Sequence, residues 1–252
     1  MMSLHPDFLN MPIAHRGLHG PGMPENSMAA FRAAIAAGYG IECDIQRTAD
    51  GTALVFHDDD LPRLTGAEGP VGAKGMDDLS QLRLLGTSEP IPTLADLLAE
   101  VAGRVPLLIE IKDQSLRLSD QVGDLQDEVA RLVLAYGGPV AVMSFNPHTI
   151  AAFHVAAPEV TVGLTTCDYK DEEWAVAGEA ALAHLAAIGD FDRVGASFIS
   201  HDRKDLDNPA VTALKQRGVP VLCWTVRSPE EEAAARRVAD NITFERYLPA
   251  RP

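Results

Sequence analysis

Glu42 and Asp44 stand two positions apart in the run YGIECDIQRTADGTALVFHD, residues 39–58, and His57 nearly closes it. A strand turns successive side chains to opposite faces, so both carboxylates point one way while Cys43 and Ile45 point the other. Asp50-Gly51 is a hairpin-turn signal, and a two-residue turn there would set His57 opposite Asp44. A slip of one residue would send the imidazole to the other face, so the register is itself an expectation. A third acid lies in PLLIEIK, residues 106–112, where Ile109 and Ile111 are apolar and Glu110 and Lys112 share the opposite face. Hiding two unpaired charges there would be costly, which assigns them to a polar site. Three carboxylates without a thiolate suit a hard cation, Mg²⁺ or Ca²⁺ rather than Zn²⁺. His15-Arg16 and Trp224 also fall at strand ends. Taken singly, each has a plain structural role: an ion pair for Glu110 and Lys112, a satisfied core histidine with a surface arginine, and a packed tryptophan.

The elements that must position these groups alternate along the chain. A first strand over Met11 to His15 leads through a loop to a helix from about Glu25 to Ala37, stopped by Gly38 and Gly40. The hairpin follows, then an irregular segment from Asp58 to Pro92, rich in Gly, Pro and Asp, that suits an excursion over one end of the fold. After a helix ending near Ala102, the pattern predicts strands over Pro106–Lys112, Pro139–Phe145, Val160–Thr165, Val194–Ser200, Val219–Val226 and Asn241–Phe244. Helices fall between them, one from about Ser119 to Tyr136. Eight parallel strand candidates in 252 residues favour an α/β fold, a single (β/α)8 TIM-type barrel over residues 1–252 with a small insertion at 58–92. In such a barrel the C-terminal strand ends form the active face.

Composition narrows the chemistry. A net charge of −15 argues against nonspecific attraction to nucleic acid or an anionic bilayer. The three cysteines are too few and too scattered for a disulfide framework or a thiolate metal site. No apolar run approaches a membrane span, and the start MMSLHPDFLNMP shows no basic segment followed by an apolar one. The expectation is a cytoplasmic protein without a stable membrane anchor; composition leaves its oligomeric state open.

Several motifs in order resemble the glycerophosphodiester phosphodiesterases: HRG at 15–17, PENS at 24–27 followed by Phe31, ECD at 42–44, TADGTALVFHDDDLPRLTG at 48–66, PTLADLL at 92–98, EIK at 110–112, SF at 144–145 and WTV at 224–226. The resemblance implies a TIM-type barrel and metal-dependent hydrolysis of glycerophosphodiesters to an alcohol and glycerol 3-phosphate. It implies a divalent metal on Glu42, Asp44 and Glu110, catalytic His15 and His57, and phosphate contacts from Arg16 and Lys112. Trp224 could wall the substrate pocket or serve packing. Which histidine is acid and which base stays open, as does attack by water or by a substrate hydroxyl. His19, close behind HRG, is the first candidate for a further functional histidine; His5, His148, His154, His184 and His201 have no comparable surroundings. Arg227 stands where asparagine is usual, and NITFER replaces a TDRP-like ending, which bears on the substrate rather than the reaction. One alternative is a lysophospholipid or other lipid phosphodiester as substrate, with Leu61, Leu64, Val71, Met76 and Leu79 lining an apolar channel. Another is a non-catalytic barrel that binds glycerophosphodiesters.

Overall fold

Local capping sets several of the elements. A computed structural model describes residues 3–251, Glu173 by its backbone alone. A short helix α1 (Asp7–Asn10) precedes strand β1 (Ile13–Ala14). Helix α2 (Met28–Ala37) starts where Ser27 Oγ accepts from Ala30 N–H and stops at Gly38, whose φ of 73° is the left-handed C-cap conformation. Strand β2 (Gly40–Arg47) and strand β3 (Ala53–Val55) form the hairpin. The excursion contains two single-turn helices, α3 (Pro62–Thr65) and α4 (Met76–Leu79). Helix α5 (Leu94–Val101) then begins with a reciprocal cap between Thr93 and Asp96.

The remaining units follow in strict alternation: β4 (Leu107–Ile111), α6 (Leu125–Leu134), β5 (Val140–Ser144), α7 (Pro147–Ala156), β6 (Thr161–Thr166), α8 (Glu179–Ala186), β7 (Phe198–Asp202), α9 (Pro209–Gln216), β8 (Val221–Val226), α10 (Pro229–Ala235) and β9 (Asn241–Phe244). All pairings around the sheet are parallel except β2 with β3, and β1 pairs with both β2 and β9. That double pairing closes an eight-stranded barrel. β2 outruns it: Gly40 and Ile41 pair with β1, whereas Ile45 to Arg47 pair with β3. The hairpin is therefore grafted on the projecting end of the second barrel strand.

Most expected boundaries shift by three residues or fewer; two shift further. Helix α6 starts at Leu125 rather than near Ser119, because side chains take the backbone N–H groups ahead of it: Asp113 those of Ser115, Arg117 and Leu118, Ser115 Oγ that of Ser119, and Ser119 Oγ that of Gln121. Strand β7 starts at Phe198 rather than Val194, because Val194, Gly195 and Ala196 bond back to Asp190, Asp192 and Phe191 as consecutive turns.

The main core lies between barrel and helices, and a second cluster fills the barrel's lower interior. There Phe8 of α1 packs with Ile13, Leu108, Phe198 and Leu222, all fully buried. Phe198 occupies space that only a glycine opposite can leave: a Cβ on Gly163 would lie 2.5 Å from its ring. On β4, Leu108 and Glu110 share a face, so an apolar floor gives way to a polar upper layer within one strand. Asp58 to Pro92 carries its own small core: Leu61, Val71 and Leu79 are buried with Leu54 and Phe56, and Leu64 and Met76 pack against them. These five excursion side chains pack down on one another. No helix among the described residues is long and apolar enough to cross a membrane.

Candidate active site

His15 follows directly on β1, and its backbone N–H donates to Phe244 O at 2.9 Å, so the closing strand pair fixes where it leaves the barrel. Gly17 then adopts a φ of 78°, and a Cβ there would approach Ala30 to 2.9 Å. This close pass lays the HRG turn on α2. Arg16 uses it to reach three acids. Its backbone N–H donates to Glu42 Oε2 at 2.9 Å, its Nη1 donates to Glu25 Oε1 at 2.7 Å, and its Nε lies 3.2 Å from Asp44 Oδ2.

Glu42, Asp44 and Glu110 are all buried, and one oxygen from each lies within 4.8 Å of the others. Lys112 Nζ bridges Asp44 Oδ1 at 2.7 Å and Glu110 Oε1 at 2.5 Å, while Asn26 Nδ2 donates to Asp44 Oδ2 at 2.9 Å. The three acids do not share these partners equally. Burial alone would raise the Asp44 pKa, but Lys112, Arg16 and His57 hold it well below the usual carboxylate range. Glu42 goes the other way: burial, then the like charges of Asp44 and Glu110, push it well above that range. For Lys112, burial is outweighed by Asp44 and Glu110, which hold its ammonium form to higher pH than usual. The inner cavity thus holds three acids against the charges of Arg16 and Lys112, and Arg16 is shared with Glu25. An all-oxygen donor set with one under-compensated carboxylate fits a hard divalent cation.

The histidines differ sharply in setting. His15 Nδ1 lies 2.8 Å from Glu245 Oε2. Burial would raise the Glu245 pKa, but the hydrogen bonds from His15 and Arg227 keep it far below the usual range. An ionised carboxylate only accepts, so Nδ1 carries the hydrogen and Nε2 keeps its lone pair. Burial lowers the His15 pKa to about 4, against the opposing hydrogen bond to Glu245. His15 is neutral at pH 7.

His57 is more open, with its side chain 32% exposed, and its Nδ1 lies 2.7 Å from Asp58 Oδ1. Arg63 on α3 donates from Nε to Asp58 Oδ2 at 2.6 Å and from Nη2 to Glu25 Oε1 at 2.7 Å. A continuous chain of ion pairs therefore runs from Arg16 through Glu25 and Arg63 to Asp58, whose carboxylate meets the His57 ring.

The expected hairpin register is corrected. β3 pairs Val55 with Ile45, and Phe56 N–H donates to Asp44 O at 3.0 Å, so Phe56 and not His57 stands opposite Asp44. The turn is longer than two residues: Thr48 N–H donates to Thr52 O at 3.1 Å across Ala49, Asp50 and Gly51, and Gly51 has a φ of 84°. β3 ends at Val55, and the bend after it returns His57 to the site despite the slipped register.

A cavity of about 70 Å³ is lined by His15, Arg16, Glu42, Asp44, His57, Glu110, Lys112 and Trp224 together. The eight residues given catalytic, metal or substrate roles from the sequence all meet there. Trp224 Nε1 donates to Ser200 O at 3.0 Å, and the residue lines the cavity. His19 lies 3.6 Å from Glu245, and none of the other five histidines lines this space. Sequence reasoning missed Glu245, Arg63 and Asp58, and gave no role to Glu25 and Asn26 within PENS. The signal for Glu245 was present as the NITFER departure. Arg227, the other departure, is its partner, with Nε 2.6 Å from Glu245 Oε1.

A family model described as the glycerophosphoryl diester phosphodiesterase family matches residues 15–242. A glycerophosphodiester phosphodiesterase of Caldanaerobacter subterraneus is 28% identical over 87% of this chain and 86% of its own. The uncharacterized protein YqiK of Bacillus subtilis is 31% identical over 86% of this chain and 87% of its own. Among solved structures, an Oleispira antarctica phosphodiesterase in complex with its product sn-glycerol-3-phosphate shares the fold with a TM-score of 0.77, at 21% identity and 93% coverage of both chains. A Thermotoga maritima glycerophosphodiester phosphodiesterase does so at 0.71 and 22%, covering 93% of this chain and 94% of its own.

Proposed function

The chain belongs to the glycerophosphoryl diester phosphodiesterase family and hydrolyses glycerophosphodiesters, and from that premise we propose that His15 is the base, His57 the acid, and Glu42, Asp44 and Glu110 the holders of a divalent cation, Mg²⁺ or Ca²⁺. The observation that carries this reading is the convergence of all five side chains, with Arg16 and Lys112, on one 70 Å³ cavity. The products are an alcohol and glycerol 3-phosphate, the compound bound in the Oleispira relative.

A phosphodiester is anionic and has a poor leaving group, so its hydrolysis needs charge neutralisation, an activated nucleophile and a proton donor. The cation, when bound, supplies Lewis-acid neutralisation of phosphate charge. His15, neutral at pH 7 with Nδ1–H committed to Glu245, offers Nε2 to the proton of the attacking oxygen. Glu245 then stabilises the imidazolium that forms, as the carboxylate does in a serine-protease triad. The new P–O bond forms as the bond to the departing oxygen breaks, and His57 gives that oxygen its proton. Arg16 and Lys112 border the cavity and stabilise the charge left on the phosphoryl oxygens, one as a planar fork and the other as a compact charge. Trp224 supplies an apolar wall. The reading places a small-molecule reaction in the cytoplasm in a single barrel domain, and the three free buried cysteines support a reducing compartment. Intact histidines and carboxylates speak against a purely binding role.

Leaving-group dependence tests the assignment. A nitrophenolate departs without a proton donor, whereas an alkoxide needs one. His57→Ala should lose about 10²- to 10⁴-fold on glycerophosphoethanolamine yet keep most of its rate on a p-nitrophenyl glycerophosphodiester. His15→Ala should lose both. Equal losses on the two substrates in His57→Ala would reverse or void the assignment.

A further inference from the structure

The 70 Å³ catalytic cavity opens into a groove of about 510 Å³ between the loops that follow β4 and β6. We propose that this groove binds a single apolar chain carried by the departing alcohol, so that the preferred substrates are glycerophosphodiesters with an alkyl-bearing leaving group. The inference rests on the assignment of His57 to the leaving oxygen. His57 lines both spaces and His15 only the inner one, so the groove lies on the departing side.

Its size exceeds what a small headgroup fills, and its surface is built for an apolar guest. Leu116 and Val176, 59% and 62% exposed, rim this one groove. Phe145 and Trp174 form its aromatic wall, with ring centroids 5.0 Å apart. Leu116 adopts a φ of 56°, a left-handed conformation that a leucine rarely takes. The surrounding loop holds it there: the Asp113 carboxylate accepts from Ser115, Arg117 and Leu118 N–H at 3.0, 3.0 and 2.7 Å, and from Asn146 Nδ2 at 2.8 Å. A chain that spends this many hydrogen bonds presenting a leucine to solvent beside its catalytic cavity has a use for the exposed side chain.

The acids on the groove wall argue for an alkyl chain over a cationic headgroup. Asp113 is committed to its loop, Asp58 to His57 and Arg63, and Asp59 to Gln46 Nε2 at 2.9 Å. Most of what faces the guest is hydrocarbon, and the polar groups His57, Glu110 and Lys112 are those the groove shares with the inner cavity. The channel comes from the β4 and β6 loops, while the leucines of the Asp58 to Pro92 segment pack among themselves.

The test is a homologous series of glycerophosphoalkanols from ethanol to octanol, below their micellar concentrations, with glycerol 3-phosphate release as readout. With the groove half-open to solvent, each methylene gains about half of its full burial, so kcat/KM should rise about twofold per methylene, about 60-fold over the six methylenes between ethanol and octanol. Leu116→Asn suits the left-handed backbone better than leucine does and should therefore fold; it should cut the octanol-to-ethanol ratio about tenfold. A flat series, or a ratio unchanged in Leu116→Asn, would overturn the subsite. Nitrophenyl rescue of His57→Ala is measured in parallel: a flat series with rescue intact removes the subsite alone. Loss of rescue removes the His57 assignment and, with it, the subsite's placement. A methylene increment that appears only when the chain is carried on the glycerol would place the groove on the other side and likewise overturn the proposal.

Discussion

Replacing Glu245 by glutamine removes one charge from the site while preserving its shape. The carboxylate accepts from His15 Nδ1 at 2.8 Å, and its side chain is 9% exposed. As His15 takes a proton, it becomes a cation beside that carboxylate. Two unit charges about 4 Å apart interact by about 4 kcal/mol at an effective dielectric constant near 20. The amide introduced by Glu245→Gln would still accept a hydrogen bond and recover part of this. The expected loss is about 2–3 kcal/mol of transition-state stabilisation, about 30- to 150-fold in kcat, with KM little changed. The pH profile separates this from a structural defect. Glu245 opposes the burial that brings His15 to about 4, so its removal should move the acid limb of kcat/KM to lower pH. Arg227→Met is the control, because Arg227 also pairs with Glu245 at 2.6 Å but does not touch His15 through it. It should cost much less. Steady-state kinetics on glycerophosphoethanolamine from pH 3 to 9 give both readings. A kcat for Glu245→Gln within threefold of the parent enzyme, with an unmoved acid limb, would refute the His15–Glu245 reasoning.

Removing divalent cations should abolish hydrolysis, and restoring Mg²⁺ or Ca²⁺ at a hundredfold excess over Kd should add about 2.7 kcal/mol of stability, raising the melting temperature several degrees. Glu110→Gln should erase that thermal shift; a shift that persists would place the cation elsewhere. Glu25 tests the ion-pair chain. Burial opposes ionisation there, yet Arg63 and Arg16 lower its pKa from 4.5 to about 2. A depressed acid contributes stability that is fully present above its unfolded pKa and lost as pH falls through the folded one. Parent and Glu25→Gln melting curves should therefore differ above pH 4.5 and converge towards pH 2, and a constant gap across that window would count against the chain.

Much of this architecture was legible because barrel strands and interstrand helices leave strong local signals. The run PLLIEIK could only be a strand with a polar face, and its Glu110 and Lys112 did enter the cavity. Asn241–Phe244 was bounded correctly, since Asp240 and the departure after Phe244 punctuate it. What failed was what depends on backbone detail or distant partners. The Asp50-Gly51 pair reads as a two-residue turn, and only the bond from Thr48 to Thr52 reveals the wider loop that shifts the register. The start of α6 was misplaced because side-chain acceptors outcompete helix propensity ahead of it: Asp113 takes the N–H groups of Ser115, Arg117 and Leu118, Ser115 Oγ that of Ser119, and Ser119 Oγ that of Gln121. Glu245 lies 230 positions from His15, a pairing that no local pattern can carry.

The excursion from Asp58 to Pro92 gains its meaning from that last class of contact. Read as composition, it was a loop over the active face or a wall for a lipid channel. Its small core of Leu61, Val71 and Leu79 anchors α3 against Leu54 and Phe56 of the hairpin. From α3, Arg63 holds Glu25, which grips Arg16 beside His15, and Asp58, which faces His57. The two histidines sit on different loops, joined by the barrel only at their bases. Arg63 ties those loops together above it. Proton transfer at both ends of one P–O exchange requires the two imidazoles to keep their spacing. On the proposed assignment of the two histidines, the excursion's leucines contribute to catalysis by fixing where one guanidinium sits.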